Sequence, residues 1–283
     1  MSCIGHCIRT ASDKLKHQLS LEKEVSFQEA SLLCQHVLNV NRAWLIAHEK
    51  DVLTTNQKAE FETLIQRRLN GEPIAYILGF REFYGLLFKT TPATLIPRPD
   101  TETLVEAALA KIPQDANFNI LDLGTGTGAL AVAIASQRHQ AKVTAVDSSK
   151  AALEVATENS QTLNLKNVRL IKSDWFAQLQ NEKFDLIVRN PPYIAENDGH
   201  LKQGDLRFEP ITALASGEDG LNDIRRIIQE APSYLNPNGW LMLEHGYDQA
   251  GRVAELLKQQ GFNQVSHAPD LSGTLRVTLG AMP

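Results

Sequence analysis

The spacing of apolar residues changes twice along the chain. Between residues 11 and 71 they recur every three or four positions: "FQEASLLCQHVLNV" puts Ala30, Leu33, Val37 and Leu38 near one face, and "TNQKAEFETLIQRRLNG" repeats this with Phe61, Leu64, Ile65 and Leu69 before stopping at Gly71. That period predicts amphipathic helices, the second capped by Thr55. The stretch that follows, with alternating aromatic and aliphatic residues around Gly79 and Gly85, reads as a short β-hairpin. Asp100 or Thr101 can then cap a helix that runs to Ala110.

From Phe118 the rhythm becomes strand and helix in turn. "FNILDL", "KVTAVD", "VRLIK", "FDLIV" and "WLMLEH" are short apolar runs separated by helical stretches such as "GALAVAIASQR" and "KAALEVATENSQTLN". Near-continuous apolar strands alternating with helices predict a parallel, doubly wound sheet covered on both faces. The last segment, "FNQVSHAPDLSGTLRVTLG", holds two strands without a helix between them, so the sheet closes with an antiparallel pair. The expected organisation is a helical domain over residues 1–72, a hairpin linker over 73–97 and an α/β domain over 98–283 with a seven-stranded, mostly parallel, Rossmann-like sheet.

Composition narrows this picture. A chain of 283 residues with 43% hydrophobic content can bury a full core. The net charge is −5, and the first 90 residues are near balance, with 11 Lys and Arg against 10 Asp and Glu. The acidic excess lies in the α/β region, so no basic field advertises nucleic acid. The cysteines, Cys3, Cys7 and Cys34, are odd in number and bunched near the start, which suits a reducing compartment. "CIGHC" lacks the second Cys/His pair that a zinc site needs, leaving a frayed terminus as the expectation there. No signal peptide and no run of about 20 apolar residues is present, so a cytoplasmic protein is expected.

The chemistry concentrates at two strand ends. The first α/β strand runs into "LDLGTGTGAL", where Gly124, Gly126 and Gly128 allow a sharp turn and close approach to a ligand at a helix N-terminus. The dinucleotide fingerprint also fits, through Gly124, Gly126 and Ala129 with Asp147 about 20 residues on. Asp122, two residues before the first glycine, is a carboxylate suited to a cationic ligand and favours S-adenosylmethionine over NAD. Asp147 can accept both hydroxyls of a ribose or cap the next helix. Asp174 and Trp175 follow the third strand, where Asp174 can accept from an adenine amino group and Trp175 offers its face or edge to the base.

The fourth strand stops abruptly at "RNPPYI". Proline donates no ladder hydrogen bond, so Asn190-Pro191-Pro192-Tyr193 forms a stiff, donor-poor turn at the same rim as the glycine loop. Such an array suits a planar NH2 group. The Asn190 side-chain oxygen and the Pro191 carbonyl can each accept one hydrogen while the Tyr193 ring supports the plane.

These residues resemble those of the release factor glutamine methyltransferases, class I S-adenosylmethionine enzymes that methylate the glutamine side-chain amide in the Gly-Gly-Gln motif of class I peptide release factors. The resemblance covers nearly the whole chain, through the helical N-terminal domain, "FYG", "LIPRPDTETLVE", "LDLGTGTGALA", "SDWF", "NPPYI", "RFEP" and "EHGYDQ". It implies cofactor contacts from Gly124, Thr125, Gly126, Thr127, Gly128, Asp147, Trp175 and Asn190, with S-adenosylhomocysteine as product. It implies glutamine contacts from Asn190, Pro191, Pro192 and Tyr193, of which Asn190, Pro191 and Tyr193 serve the transfer itself. Residues 98–102 and Phe208-Glu209-Pro210 are expected to line the same mouth, no metal is implied, and the N-terminal domain is expected to dock the protein substrate.

Two positions depart from the family pattern. Arg189 stands where Ser usually precedes Asn-Pro-Pro-Tyr; it either points away along the strand or alters the rim. The usual polar pair before Arg276 is missing. The Asn-Pro-Pro-Tyr motif is shared with adenine N6-methyltransferases, which would present a flipped base to it, but the acidic balance and the lack of a basic cluster speak against nucleic acid. An NAD-dependent oxidoreductase and a non-catalytic binding module are the remaining readings.

Overall fold

The computed structural model describes residues 3–283 and divides into two compact units, Met1–Gly79 and Phe80–Pro283. The division falls after Gly79, beyond the boundary at residue 72 expected from the sequence, because residues 74–78 form a helix and do not belong to the hairpin.

The first unit holds α1 (Ile4–Leu19), α2 (Lys23–Leu38), α3 (Arg42–Ala47), α4 (Thr55–Leu69) and α5 (Ile74–Leu78). Their helical-period residues meet in one core: Ile8 and Leu15 of α1, Leu33 and Cys34 of α2, and Phe61, Leu64 and Ile65 of α4. From Cys3 onward the described chain is tied down rather than frayed. Cys3 bridges to Val52, and the Ile4 and Gly5 amides donate to the carbonyls of Asp51 and Glu49 at 2.8 Å. Cys7 and Cys34 are core residues, and among the described residues no Cys, His, Asp and Glu group could hold a metal ion. The cap of α4 is Thr54, one residue earlier than expected, in a reciprocal capping box with Gln57. Glu29 and Arg68 form an ion pair inside this unit, with hydrogen bonds of 2.8 and 3.2 Å and only 9% and 5% exposure.

The second unit opens with an antiparallel hairpin, β1 (Phe80–Phe83) and β2 (Leu86–Lys89), followed by α6 (Glu102–Leu109). A 3-10 turn over Pro99–Thr101 leads into α6, so neither Asp100 nor Thr101 caps it through its side chain. Then come β3 (Asn119–Leu123), α7 (Ala129–Gln137), β4 (Lys142–Asp147), α8 (Lys150–Thr162), β5 (Val168–Lys172), β6 (Phe184–Arg189), α9 (Asn222–Glu230), β7 (Leu235–Glu244), α10 (Ala250–Gln259), β8 (Asn263–Pro269) and β9 (Leu275–Ala281). They build the expected seven-stranded sheet in the order β5-β4-β3-β6-β7-β9-β8. The first five strands are parallel, and β9 runs antiparallel to both its neighbours.

Successive strand residues face opposite sides. Ile120 and Val143 pack with Leu104, Leu130 and Ile134 of α6 and α7. Leu121, Leu123 and Ile187 pack with Ile224 and Ile227 of α9 and Val253 and Leu257 of α10. The order of strands reverses between β3 and β6, and their C-terminal ends open the crevice where such sheets bind ligands.

Candidate functional site

A cavity of about 320 Å³ lies at this crevice, bordered by the glycine loop, Asp122, Asp147, Trp175, Arg189 and Asn190. A second, of about 60 Å³, is bordered by Pro191, Tyr193, Ile194, Leu206 and Leu214. Asn190 and Arg98 border both. The Asn-Pro-Pro-Tyr turn therefore stands between a large chamber and a small one.

The glycine loop turns at Gly124 in the left-handed region, φ +62°, where a Cβ would fall 2.0 Å from Arg189 Nη1. Only glycine permits that approach. Behind the loop the Thr125 hydroxyl donates to Asp122 Oδ2 at 2.6 Å, while Asp122 Oδ1 is buried without a partner. Burial pushes the Asp122 carboxyl up to about 6, against the Thr125 hydrogen bond and the nearby Arg189 charge. Thr127 is buried, and its carbonyl accepts from the Asn159 side chain at 2.8 Å. Asp147 receives the Gly126 amide on Oδ2 and the Ser149 amide on Oδ1, both at 2.9 Å. It ties the two strand ends together, and Ser149, not Asp147, caps α8.

Trp175 is held at φ +50°, a backbone conformation unusual for a bulky residue, with its carbonyl accepting from Ser173 Oγ at 2.7 Å. The Arg189 and Arg226 guanidiniums each lie 5.5 Å from the centre of its ring. Asp174 borders the large cavity but is largely exposed, 3.8 Å from Arg226. Arg189 does not run away along the strand. Its Nη1 donates to the Gly124 carbonyl, its Nε is buried without a partner, and its guanidinium becomes part of the wall of the large cavity. Burial works against its charge, while Asp147, Asp122, Asp223 and Glu244 support it.

At the turn itself Pro191 and Pro192 are buried. The Tyr193 carbonyl accepts from Gln249 Nε2 at 3.0 Å, and Gly220 passes so close, φ +74°, that a Cβ there would lie 2.2 Å from that oxygen. The Tyr193 hydroxyl donates to Glu244 Oε1 at 3.4 Å, and burial drives its proton affinity upward. Asn190 donates through Nδ2 to Thr101 Oγ1 at 3.0 Å, and its Oδ1 is buried with no partner. Buried acceptors are nearly always paired, so this oxygen is an acceptor waiting for a donor.

Of the expected mouth residues, Arg98, Thr101 and Pro210 border the large cavity. Glu209 acts from behind, accepting from the Ile96 amide at 3.0 Å and from Arg98 Nη2. Phe208 borders neither cavity. Gly220, Glu244 and Gln249 carried no assigned role in the sequence. The signal for two of them was the polar cluster of "EHGYDQ" directly after an apolar strand.

The donor set fits S-adenosylmethionine. An unpaired Asp122 oxygen and a second carboxylate at Asp147 suit a cationic ligand with a vicinal diol, and the Trp175 ring suits a flat base.

The chain is similar to known methyltransferases over both of its units. The family profile described as a methyltransferase domain matches residues 114–272, and that described as the PrmC N-terminal domain matches residues 7–79. The release factor glutamine methyltransferase of Escherichia coli (strain K12) is 43% identical over 275 residues, 97% of each chain. That of Bordetella pertussis is 49% identical over 253 residues, 89% of this chain and 93% of its own. A methyltransferase from Pyrococcus furiosus shares the fold, with a TM-score of 0.53 at 22% identity over 81% of this chain and 98% of its own. On its sequence over nearly its full length, the chain belongs to the family of release factor glutamine methyltransferases.

Proposed function

We propose that this protein transfers a methyl group from S-adenosylmethionine to the side-chain amide nitrogen of the glutamine in the Gly-Gly-Gln motif of class I peptide release factors. The observation that carries the site assignment is the partnerless, buried Oδ1 of Asn190, a residue that borders both cavities. Gly124 to Gly128, Asp147 and Trp175 hold the cofactor in the larger cavity. Asn190, Pro191 and Tyr193 present the glutamine from the smaller one, with Pro192 facing it from the larger.

When bound, S-adenosylmethionine supplies an electrophilic methyl group on a positively charged sulfur. The chain has to make a poor nucleophile attack it. An amide nitrogen is conjugated with its carbonyl, an interaction reflected in a rotation barrier of about 18–20 kcal/mol. Asn190 Oδ1 and the Pro191 carbonyl accept the two amide hydrogens, which aims the nitrogen and favours the positive charge that grows on it. The Tyr193 ring backs the amide plane, and the buried prolines add no competing N–H donor. The C–N bond forms as the sulfur–methyl bond breaks, and one nitrogen proton is then released to solvent.

The partner is the release factor, docked in part by the helical unit. The acidic balance of the α/β region supports a protein substrate over nucleic acid. Among the described residues no helix is long and apolar enough to cross a membrane. The cytoplasmic location we propose rests on cysteine usage suited to a reducing compartment. The test is incubation with methyl-labelled S-adenosylmethionine and a release factor, its Gln-to-Ala variant, or bulk RNA. Label on the intact factor alone is expected. Label on RNA, or on the Gln-to-Ala variant, would overturn the assignment.

A further inference from the structure

Glu244 ends β7, one residue past the Leu243 that pairs with Arg189 in β6, so its carboxylate sits behind Asn190. It is 1% exposed and lies in neither cavity wall. The Tyr193 hydroxyl donates to its Oε1 at 3.4 Å, the Thr101 hydroxyl lies near enough to favour its charged form, and its Oε2 is buried without a partner. Thr101 is also the acceptor of the Asn190 side-chain N–H. Thr101 therefore stands between Asn190 and Glu244, placed to relay a hydrogen bond from one to the other.

The relay has a direction. A hydroxyl has one proton, and when Thr101 gives it to Glu244 its oxygen can only accept from Asn190. The Asn190 amide is thereby held with nitrogen toward Thr101 and oxygen toward the cavity. An ionised Glu244 accepts only, so it enforces this order. A protonated Glu244 can donate to Thr101, whose own proton then turns toward Asn190. The amide is free to flip, setting an NH2 group against the NH2 group of the incoming glutamine.

We propose that Glu244 is a positioning residue for methyl transfer: through Thr101 and Tyr193 it fixes the Asn190 side chain so that its oxygen faces the acceptor amide. This rests on the reading that Asn190 receives the glutamine. The charged and titratable groups facing Glu244 are Asp100 before α6, Arg276 on β9, Tyr193 in the turn and Arg189 on β6. Arg276 is also engaged with Asp100 at 2.9 Å and Asp270 at 3.1 Å. Burial, with Asp100 adding to it, outweighs the hydroxyl donors and Arg276, and lifts the carboxyl to about 7. The two orders of the relay thus exchange within the range where the enzyme can be assayed.

The experiment compares the full-length wild type with Glu244→Gln and Thr101→Val. Single-turnover transfer to a release factor is measured at saturating S-adenosylmethionine from about pH 5.5 to about pH 8.5, and cofactor affinity by calorimetry. The wild-type rate should rise through about pH 7. Glu244→Gln should lose that step and run about ten- to a hundredfold slower at high pH, with cofactor affinity changed by less than about threefold, as for side chains that orient a reacting group from behind. Thr101→Val, which keeps the carboxylate but cuts the relay, should lose the same step. Variants that keep the wild-type rate and pH profile would overturn the inference, and Thr101→Val decides alone if Glu244→Gln does not fold. A wild type that leaves the release factor unlabelled removes the proposed function; a labelled wild type with unmoved variants removes only the role of Glu244.

Discussion

Replacing Asn190 by alanine should separate stability from turnover. In the folded protein this side chain makes one hydrogen bond, Nδ2 to Thr101 at 3.0 Å, and leaves Oδ1 buried and unpaired. Losing the bond costs about 1 kcal/mol, while removing the unpaired acceptor relieves a desolvation cost of about the same size. The net change in stability should stay within about 1 kcal/mol, a small shift in thermal midpoint. The effect on transfer is larger because the lost acceptor acts where charge develops. Removing one such preorganised group costs about 10² to 10³ in rate, or about 3–4 kcal/mol of barrier. Thermal denaturation, calorimetric titration with S-adenosylmethionine and single-turnover transfer of labelled methyl to a release factor read the three quantities separately. Cofactor affinity is expected within several-fold of wild type. Transfer within about tenfold of wild type, with the fold intact, would refute the acceptor role of Asn190.

Other changes address the parts that hold this turn and its neighbours. Arg189→Ser removes a cation from the wall of the large cavity, and should tighten binding of the positively charged S-adenosylmethionine more than that of neutral S-adenosylhomocysteine; calorimetry with both ligands checks the ratio. Gly220→Ala sets a Cβ 2.2 Å from the Tyr193 carbonyl at φ +74°, so transfer should fall while cofactor affinity, measured by the same titration, holds. Glu244→Gln should also change the pH dependence of stability. A carboxyl lifted from the usual 4.5 to about 7 makes the wild type lose stability as pH rises from about 4.5 through about 7, by about 3 kcal/mol in full. The glutamine variant lacks that slope, so its advantage in denaturant midpoint should be larger at pH 8 than at pH 5. Glu29→Ala takes the carboxylate away from the Arg68 guanidinium, 5% exposed, inside the helical unit, and should destabilise that unit by about 3 kcal/mol in a chemical melt.

Arg189 shows why a one-residue departure from a family pattern is hard to read from sequence. Strand alternation says which side of the sheet a residue faces, and says nothing of how far a long side chain reaches once there. Its guanidinium is drawn to the Gly124 carbonyl and the Trp175 ring, two groups 65 and 14 residues away in the chain. Asp147 illustrates the same point: its place at a strand end was readable, whereas its use as a brace between Gly126 and Ser149 depends on where the neighbouring loop lies.

Local periodicity and turn chemistry were enough to determine the strand and helix succession, the glycine loop, the abrupt stop at Asn-Pro-Pro-Tyr and hence the reaction class, because each depends on residues adjacent in sequence. The helical turn over residues 74–78 is not legible in the sequence because it is only five residues long, too short for a period to declare itself. Tertiary structure alone decided which polar groups complete the site. Thr101, Gly220 and the pair Glu244 and Gln249 come from three separate segments, and they meet only because the fold brings the turn before α6, the loop before α9 and the end of β7 to the end of β6. A hydrogen bond is specified by a few tenths of an ångström and by direction, and chain order carries neither.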